Sequence, residues 1–415
     1  MAITIQDQPS TTYIRPAFAP IEYLVSSTNT AQNGFKIVCK IYLNPAAANT
    51  LISTQSISVR PYSTQAILSI QDIVKSFVSS NYTLLDGDTV DVTTTALSYF
   101  RVVFQEYYDG ALRGFTSTSS TIPAYNSSPT YLQFASNKFQ DYQIATSALE
   151  KNLLSGFSNH IPVINAFNSN DRWLKVKTDQ KIQLQWLQRN ASGNFQVWLK
   201  TLNSSFTSLT TSVLDLTTTS QNYFALDVGR QELPDHTWSV APNFTGAKYY
   251  AIGILQYDEY TLDLASNAYL YEIDECDTDY TNYELHWLNR WGGFDSFVFD
   301  GKSKQDVAIS KTLAKYSVDR VSGTSLSYTT SAQRTRPFDT SLSEAYSINS
   351  RLLSDFEIVG LEDLATSPEV YWNSPSGFVS VNVAAQSYER KKSEDGKVFS
   401  LSLNMTIDNS DKRQW

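Results

Sequence analysis

The stretch Tyr283-Glu-Leu-His-Trp-Leu-Asn-Arg-Trp-Gly-Gly-Phe-Asp-Ser-Phe-Val-Phe-Asp-Gly-Lys302 decides the reading of this chain. Two aromatic-rich strands flank an Asn-Arg-Trp-Gly-Gly bend. Strand periodicity puts Leu285, Trp287 and Asn289 on one face of the first strand, and Phe297 and Phe299 on one face of the second. Gly292 and Gly293 free the backbone between them to turn or bulge. Such a segment is architecture before it is chemistry, and antiparallel β-structure is the expectation for what surrounds it.

Composition agrees. The 415 residues are 41% hydrophobic and 13% aromatic, and only 18% are charged, so Ser, Thr, Asn and Gln cover much of the surface. That is a folded chain, with length enough for about two to four domains. Its Tyr and Thr content suits pleated, half-buried strands. A net charge of −9 disfavours extended contact with nucleic acid, which needs a basic stripe, and disfavours an anionic membrane surface. Arg390-Lys391-Lys392 reads as a solvated strand edge or hairpin, where Lys discourages stray pairing. Cys39 alternates with Phe35, Ile37 and Ile41 and is expected as a buried free thiol, distant in sequence from Cys276. Met1–Asp7 lacks a basic and an apolar leader region, and no run reaches the roughly 18 apolar residues of a membrane span, so the Asn-x-Ser/Thr sequons are read as incidental.

Four regions are expected. Residues 1–125 begin with an extended arm marked by Pro9, Pro16 and Pro20, followed by strands at Phe35 to Leu43 and Tyr99 to Tyr107. A short helix over Ser69 to Phe77 is expected between them, capped by Ser69. Residues 126–157 form a linker with helical spacing from Tyr142 to Leu154 (Ala145, Ala148, Leu149, Leu153). Residues 158–274 read as a β-sandwich, loosely like an immunoglobulin or fibronectin module, in which Ile182 to Leu187 and Phe195 to Leu199 form a hairpin across residues 190–194. Further strands are expected at Tyr223 to Val228, Tyr249 to Tyr257 and Tyr269 to Ile273. Residues 275–415 form a C-terminal β domain whose cleanest strand alternates Phe399, Leu401, Leu403, Met405 and Ile407. One helix near 354–366 opens on the Ser354/Glu357 capping box and stops at Ser367-Pro368.

The chemistry-bearing residues are sparse. His160, His236 and His286 stand in no catalytic spacing, and His286 is expected at a surface or interface. Nucleophile-elbow, zinc-protease and phosphate-loop patterns do not occur in the sequence. The acidic run around Asp277, Asp279 and Asn282 has some oxygen-ligand character, but it lacks the glycine and terminal glutamate of an EF-hand loop. A solvated junction is the favoured reading. Asp295 and Asp300 as a glycosidase pair are weighed against turn-forming aspartates, and the turn is favoured. A cofactor, a resident metal and a catalytic residue are therefore not expected. The eight Trp and 25 Tyr suit subunit contacts or carbohydrate platforms, and the sequence does not separate these uses.

The opening stretch also resembles a segment of virion structural proteins of phages infecting Bacteroidota, of the form aromatic-Leu-Asn-x-aromatic-Gly-Gly-aromatic-Asp-x-aromatic-x-Phe. Two further patches share the resemblance. One is Phe18 to Asn29 leading into Gly34 to Leu43; the other is Val379 to Val383 with Ser387 to Lys392 and Lys397 to Ile407, similar to C-terminal regions of tail or baseplate-type proteins. The resemblance implies a non-enzymatic tail or baseplate subunit, made in the host cytoplasm and resident in the virion, that joins copies of itself in a closed ring and contacts other tail proteins. It also implies, for residues 275–415, a tail-tube or distal-tail-like β-barrel with one packed helix. On that reading Trp287, Trp291, Gly292, Gly293, Phe294 and Phe297 serve fold or interface, and Arg390, Lys391 and Lys392 reach a neighbour. The alternative is a receptor- or carbohydrate-binding module of a tail, with Trp198 presented to a glycan.

Overall fold

The computed structural model describes residues 3–43, 49–80, 91–92, 96–145, 151–157, 167–189, 194–216, 222–257, 262–276, 280–315, 320–322, 325–327, 335–384, 400–407 and 412–414. The chain is mainly β, and the described residues form several antiparallel and mixed sheets, none of which closes into a barrel. It divides into two compact units, residues 1–275 with 288–296, and residues 276–287 with 297–415.

In the first unit, residues expected as an arm are built into the core. Strand Ile3–Asp7 pairs with Glu22–Ser27, which pairs with Gln65–Ser69. A second sheet runs in the order Arg15–Pro16, Ile122–Tyr125, Leu97–Tyr108, Lys36–Leu43, Thr50–Ile57, with Ala111–Thr118 beside Leu97–Tyr108. Tyr23 and Val25 from the first sheet meet Ile37, Cys39, Ile41, Phe100, Val102 and Phe104 from the second in one core, all fully buried. Cys39 is thus a buried free thiol, pushed up to about 12 by burial. The helix expected over Ser69 to Phe77 shrinks to Gln71–Val74. Ser69 ends a strand instead of capping, and Ile70 takes the cap position.

A second pair of sheets follows. One runs Gln143–Ile144, Gln183–Gln188, Asn222–Asp227, Asp91–Val92; the other runs Leu174–Lys177, Tyr269–Asp274, Tyr249–Tyr257, Asn194–Leu202, Ser208–Leu216. The expected hairpin between Gln183–Gln188 and Asn194–Leu202 is therefore not formed. These strands lie in different sheets, and Asn194–Leu202 is hydrogen-bonded on both edges, to Ser208–Leu216 and Tyr249–Tyr257. Alternation marks a strand but does not say whether the next one turns back beside it or crosses to another sheet. The helix expected from Tyr142 to Leu154 is also absent from its described parts. Lys138–Tyr142 is a 3-10 turn and Gln143–Ile144 a strand, while Leu153, Leu154 and Phe157 plug the core from irregular backbone. Ala148 and Leu149 lie outside the described residues.

The sheet that makes up most of the second unit has the order Phe294–Phe299, Tyr283–Leu288, Val370–Ser374, Gly377–Ala384, Ser402–Ile407, Thr335–Asn349, Lys304–Lys315, with Lys412–Gln414 also paired to Thr335–Asn349; Leu288 and Phe294–Ser296 of its first two strands belong to the first unit. Helix Asp355–Thr366 lies against Gly377–Ala384 and buries Leu361 and Leu364. Its expected capping box is present. The Glu357 carboxylate accepts from Ser354 N at 2.8 Å and Ser354 Oγ at 2.7 Å. Arg351 donates to the same carboxylate at 2.9 Å, so this 4% exposed glutamate has a cation and an N-terminal turn to satisfy it.

Candidate functional site

The bend of the opening stretch is the most constrained polar site among the described residues. Residues 288–296 belong to the first unit, whereas 283–287 and 297–299 belong to the second, so the chain changes unit twice within one hairpin. Asn289 builds the bend. Its N donates to Gly293 O at 2.8 Å, and its Oδ1 accepts from Trp291 N at 2.9 Å and Gly293 N at 3.2 Å. Its Nδ2 donates to Leu154 O and to Asp295 Oδ2, both at 2.9 Å. A single amide side chain thereby satisfies two tip donors and anchors the tip to the segment 153–157.

The glycines are required by close approach. Gly292 has φ +84, and a β-carbon there would fall on the Asn126 carbonyl. At Gly293 a β-carbon would fall on the Leu154 carbonyl oxygen and Cβ. Trp291, 5% exposed, stacks on Tyr142 with centroids 3.8 Å apart and planes at 16°, in a cluster with Ile14, Leu97, Tyr125, Leu187 and Tyr223.

Asp295 completes the latch. Its carboxylate accepts from Ser155 Oγ at 2.5 Å, Gly156 N at 2.7 Å and Asn289 Nδ2. Gln185 Oε1 accepts from Phe294 N at 2.5 Å and from Tyr223 OH at 2.8 Å. Burial first, and the Asp295 charge among the lesser causes, raise Tyr223, Tyr269 and Tyr271 far above the ordinary phenol range. These phenols stay neutral, and the Tyr223 and Tyr269 hydroxyls donate to Gln185 Oε1 at 2.8 Å and Leu153 O at 3.2 Å. The cavity that Tyr269 and Tyr271 line with Ser155, Gln180 and Asp295 has a volume of about 20 Å³, room for about one water molecule. That geometry fastens a hairpin tip; it has no space for a substrate.

Asp295 is thus a buried acceptor and not a turn former, and Asp300 is buried as well, at 5%. His286 departs from its expected surface position. It is 1% exposed, its Nε2 lies 2.7 Å from Glu284 Oε1, and its ring meets Phe378 edge-on at 4.9 Å. Both faces of this strand are covered, so its alternation does not separate inside from outside. His236 is buried too, with Nε2 2.7 Å from Asp227 O. Trp287 and Phe297 are fully buried in the second unit, where Phe297 meets Phe299 edge-on at 5.2 Å and Arg351 lies 4.8 Å above the Phe297 ring. Phe294 is buried in the first unit. Trp198, offered above as a glycan platform, is 1% exposed and belongs to the core of its sheet.

Arg390, Lys391, Lys392, Asp277, Asp279 and His160 lie outside the described residues. Asn282 is described and exposed. Asp274 and Glu275 of the same acidic run face cations, Lys177 Nζ at 2.9 Å and Arg230 NH1 at 3.6 Å. Among the described residues no group of three His, Cys, Asp or Glu is placed to hold a metal ion. Among them, too, no helix is long and apolar enough to cross a membrane.

Sequence reasoning missed Asn289 as the organiser of the bend, and Gln185 and Ser155 as its partners. A signal existed for Gln185: glutamines at 183, 185 and 188 in a strand that also carries Trp186 are costly to bury without assigned partners.

No protein-family model matches the chain, and no curated protein does. Among solved structures, trypsin-activated alpha-2-macroglobulin from Escherichia coli aligns over 99% of this chain and 34% of that chain, with 9% identity and a TM-score of 0.20. The chain spans about a third of that protein's length, and a likeness of this degree carries no argument about fold or function.

Proposed function

We propose that this chain is a non-enzymatic structural subunit of a phage particle, a tail or baseplate component that assembles as a ring with copies of itself and contacts other tail proteins. The resemblance rests on the co-occurrence of its three patches, and the observation that supports the reading is the use the fold makes of one of them, the Leu-Asn-x-aromatic-Gly-Gly-aromatic-Asp segment. Asn289, Gly292, Gly293 and Asp295 are consumed in fastening the hairpin, an architectural use. The polar atoms of Asn289 bond to Leu154, Trp291, Gly293 and Asp295, and Asp295 lines a cavity of one-water size. On this reading the C-terminal unit, with its packed helix, supplies ring contacts in the manner of tail-tube and distal-tail domains. The test is immunogold labelling of phage particles with antibodies raised against the purified chain. Gold confined to tails supports the proposal; particles that stay unlabelled while free protein is bound refute it.

A further inference from the structure

Among the described residues, strand Lys304–Lys315 is the outermost of the second unit's sheet, and it is exposed at almost every position. Its odd-numbered face carries three exposed apolar residues, Val307 at 49%, Ile309 at 59% and Leu313 at 57%, interleaved with Lys311 and Lys315, and Leu342 lies opposite Ile309. Phe338, 62% exposed, sits at the bulge of the neighbouring strand. The same face is covered at its base, where Tyr346, opposite Gln305, packs on Tyr283 and Trp372 at 5.9 and 5.4 Å. A core face thus continues beyond the residues that cover it. Narrow ribbons with no covered face are marginal in water, and contiguous exposed apolar patches mark interaction sites.

We propose that this ribbon is a self-association arm whose partner is the acidic surface of a second copy of this chain. Charge selects the partner. The described residues of 304–349 and 412–414 carry seven Lys or Arg and three Asp or Glu, net +4, in a chain of net −9, which leaves −13 on everything else. A basic arm and an acidic remainder on one polypeptide favour head-to-tail contact between copies. Size agrees. Twelve residues at about 3.4 Å each and two strands about 4.8 Å apart give about 400 Å² per face. Enclosing both faces reaches the roughly 800 Å² per partner of a stable interface. The inference rests on the self-assembly part of the proposed function, and names its surface.

The test is mass photometry and sedimentation velocity on the full chain, on a Val307→Asp/Ile309→Asp variant, on a Lys311→Glu/Lys315→Glu variant, and on Leu132→Asp, a 78% exposed control in the first unit. All four positions of the two ribbon variants are exposed, so circular dichroism and the thermal midpoint should match wild type. The expected result is that each ribbon variant raises the self-dissociation constant at least about 10-fold, while the control leaves it unchanged. Either ribbon variant associating like wild type overturns the proposal. A wild-type chain that stays monomeric also overturns it, and leaves the particle reading to the immunogold result.

Discussion

Replacing Gly293 by alanine is the sharpest perturbation of the hairpin latch. The new methyl would meet the Leu154 carbonyl oxygen, carbonyl carbon and Cβ, and two of these are backbone atoms that no rotamer change can move. The tip or segment 153–157 must therefore shift. A shift that separates them breaks Asn289 Nδ2 to Leu154 O and strains Phe294 N to Gln185 Oε1, leaving two or more buried polar groups short of partners. At about 1–3 kcal/mol per buried unsatisfied group, the cost is about 2–6 kcal/mol, a large part of the roughly 5–15 kcal/mol that holds a domain folded. Urea unfolding followed by tryptophan fluorescence measures it, since Trp186, Trp198 and Trp291 are all buried in this unit. Gly114→Ala is the control, because nothing lies within 4 Å of a β-carbon there. The reasoning fails if Gly293→Ala and Gly114→Ala shift the midpoint equally.

Asp295→Asn places an amide where three donors converge, and should destabilise the first unit by about 2–4 kcal/mol at neutral pH in the same urea assay; an unchanged midpoint would refute the latch. Burial raises the Asp227 carboxyl to about 7, far above its unfolded value. Its folded form holds the proton more tightly, so its contribution is fully present below about pH 4 and lost as pH rises toward 7, at about 1.4 kcal/mol per unit of pKa difference. Asp227→Asn should flatten that part of the stability–pH profile and gain stability at pH 8, and a profile parallel to wild type would contradict the assignment. Cys39 is buried with a thiol raised to about 12, while Cys276 is exposed. Native protein should take up one equivalent of an alkylating reagent and denatured protein two; fast double labelling of the native chain would be inconsistent with this core.

The sequence makes parts of this fold legible because some signals are local. The bend at Asn289 to Gly293 is readable from two glycines between aromatic strands, and the helix Asp355–Thr366 from Ser354, Glu357 and Pro368, since turn and cap chemistry act within a few residues. The strands at Lys36–Leu43 and Tyr249–Tyr257 are readable from alternation and β-branched content. What failed is what depends on distant partners. Gln183–Gln188 and Asn194–Leu202 look like a hairpin in sequence, but Gln183–Gln188 pairs with Asn222–Asp227, and Asn194–Leu202 turns back onto Ser208–Leu216 and takes Tyr249–Tyr257 on its other edge. Alternation predicts His286 at a surface or interface, yet both faces of its strand are covered. Pro9, Pro16 and Pro20 suggest an arm; the pairing of Ile3–Asp7 with Glu22–Ser27, and of Glu22–Ser27 with Gln65–Ser69, which builds this stretch into the core, is what periodicity does not show. The role of Asn289 needed Leu154, which no spacing rule connects to it.

The central claim, a self-assembling particle subunit, is met most directly by mass photometry of the purified chain over a concentration series, with negative-stain imaging of the same sample. The account predicts discrete closed rings of three, six or twelve copies. A chain that is strictly monomeric at every concentration, with no ring in the images, would contradict it.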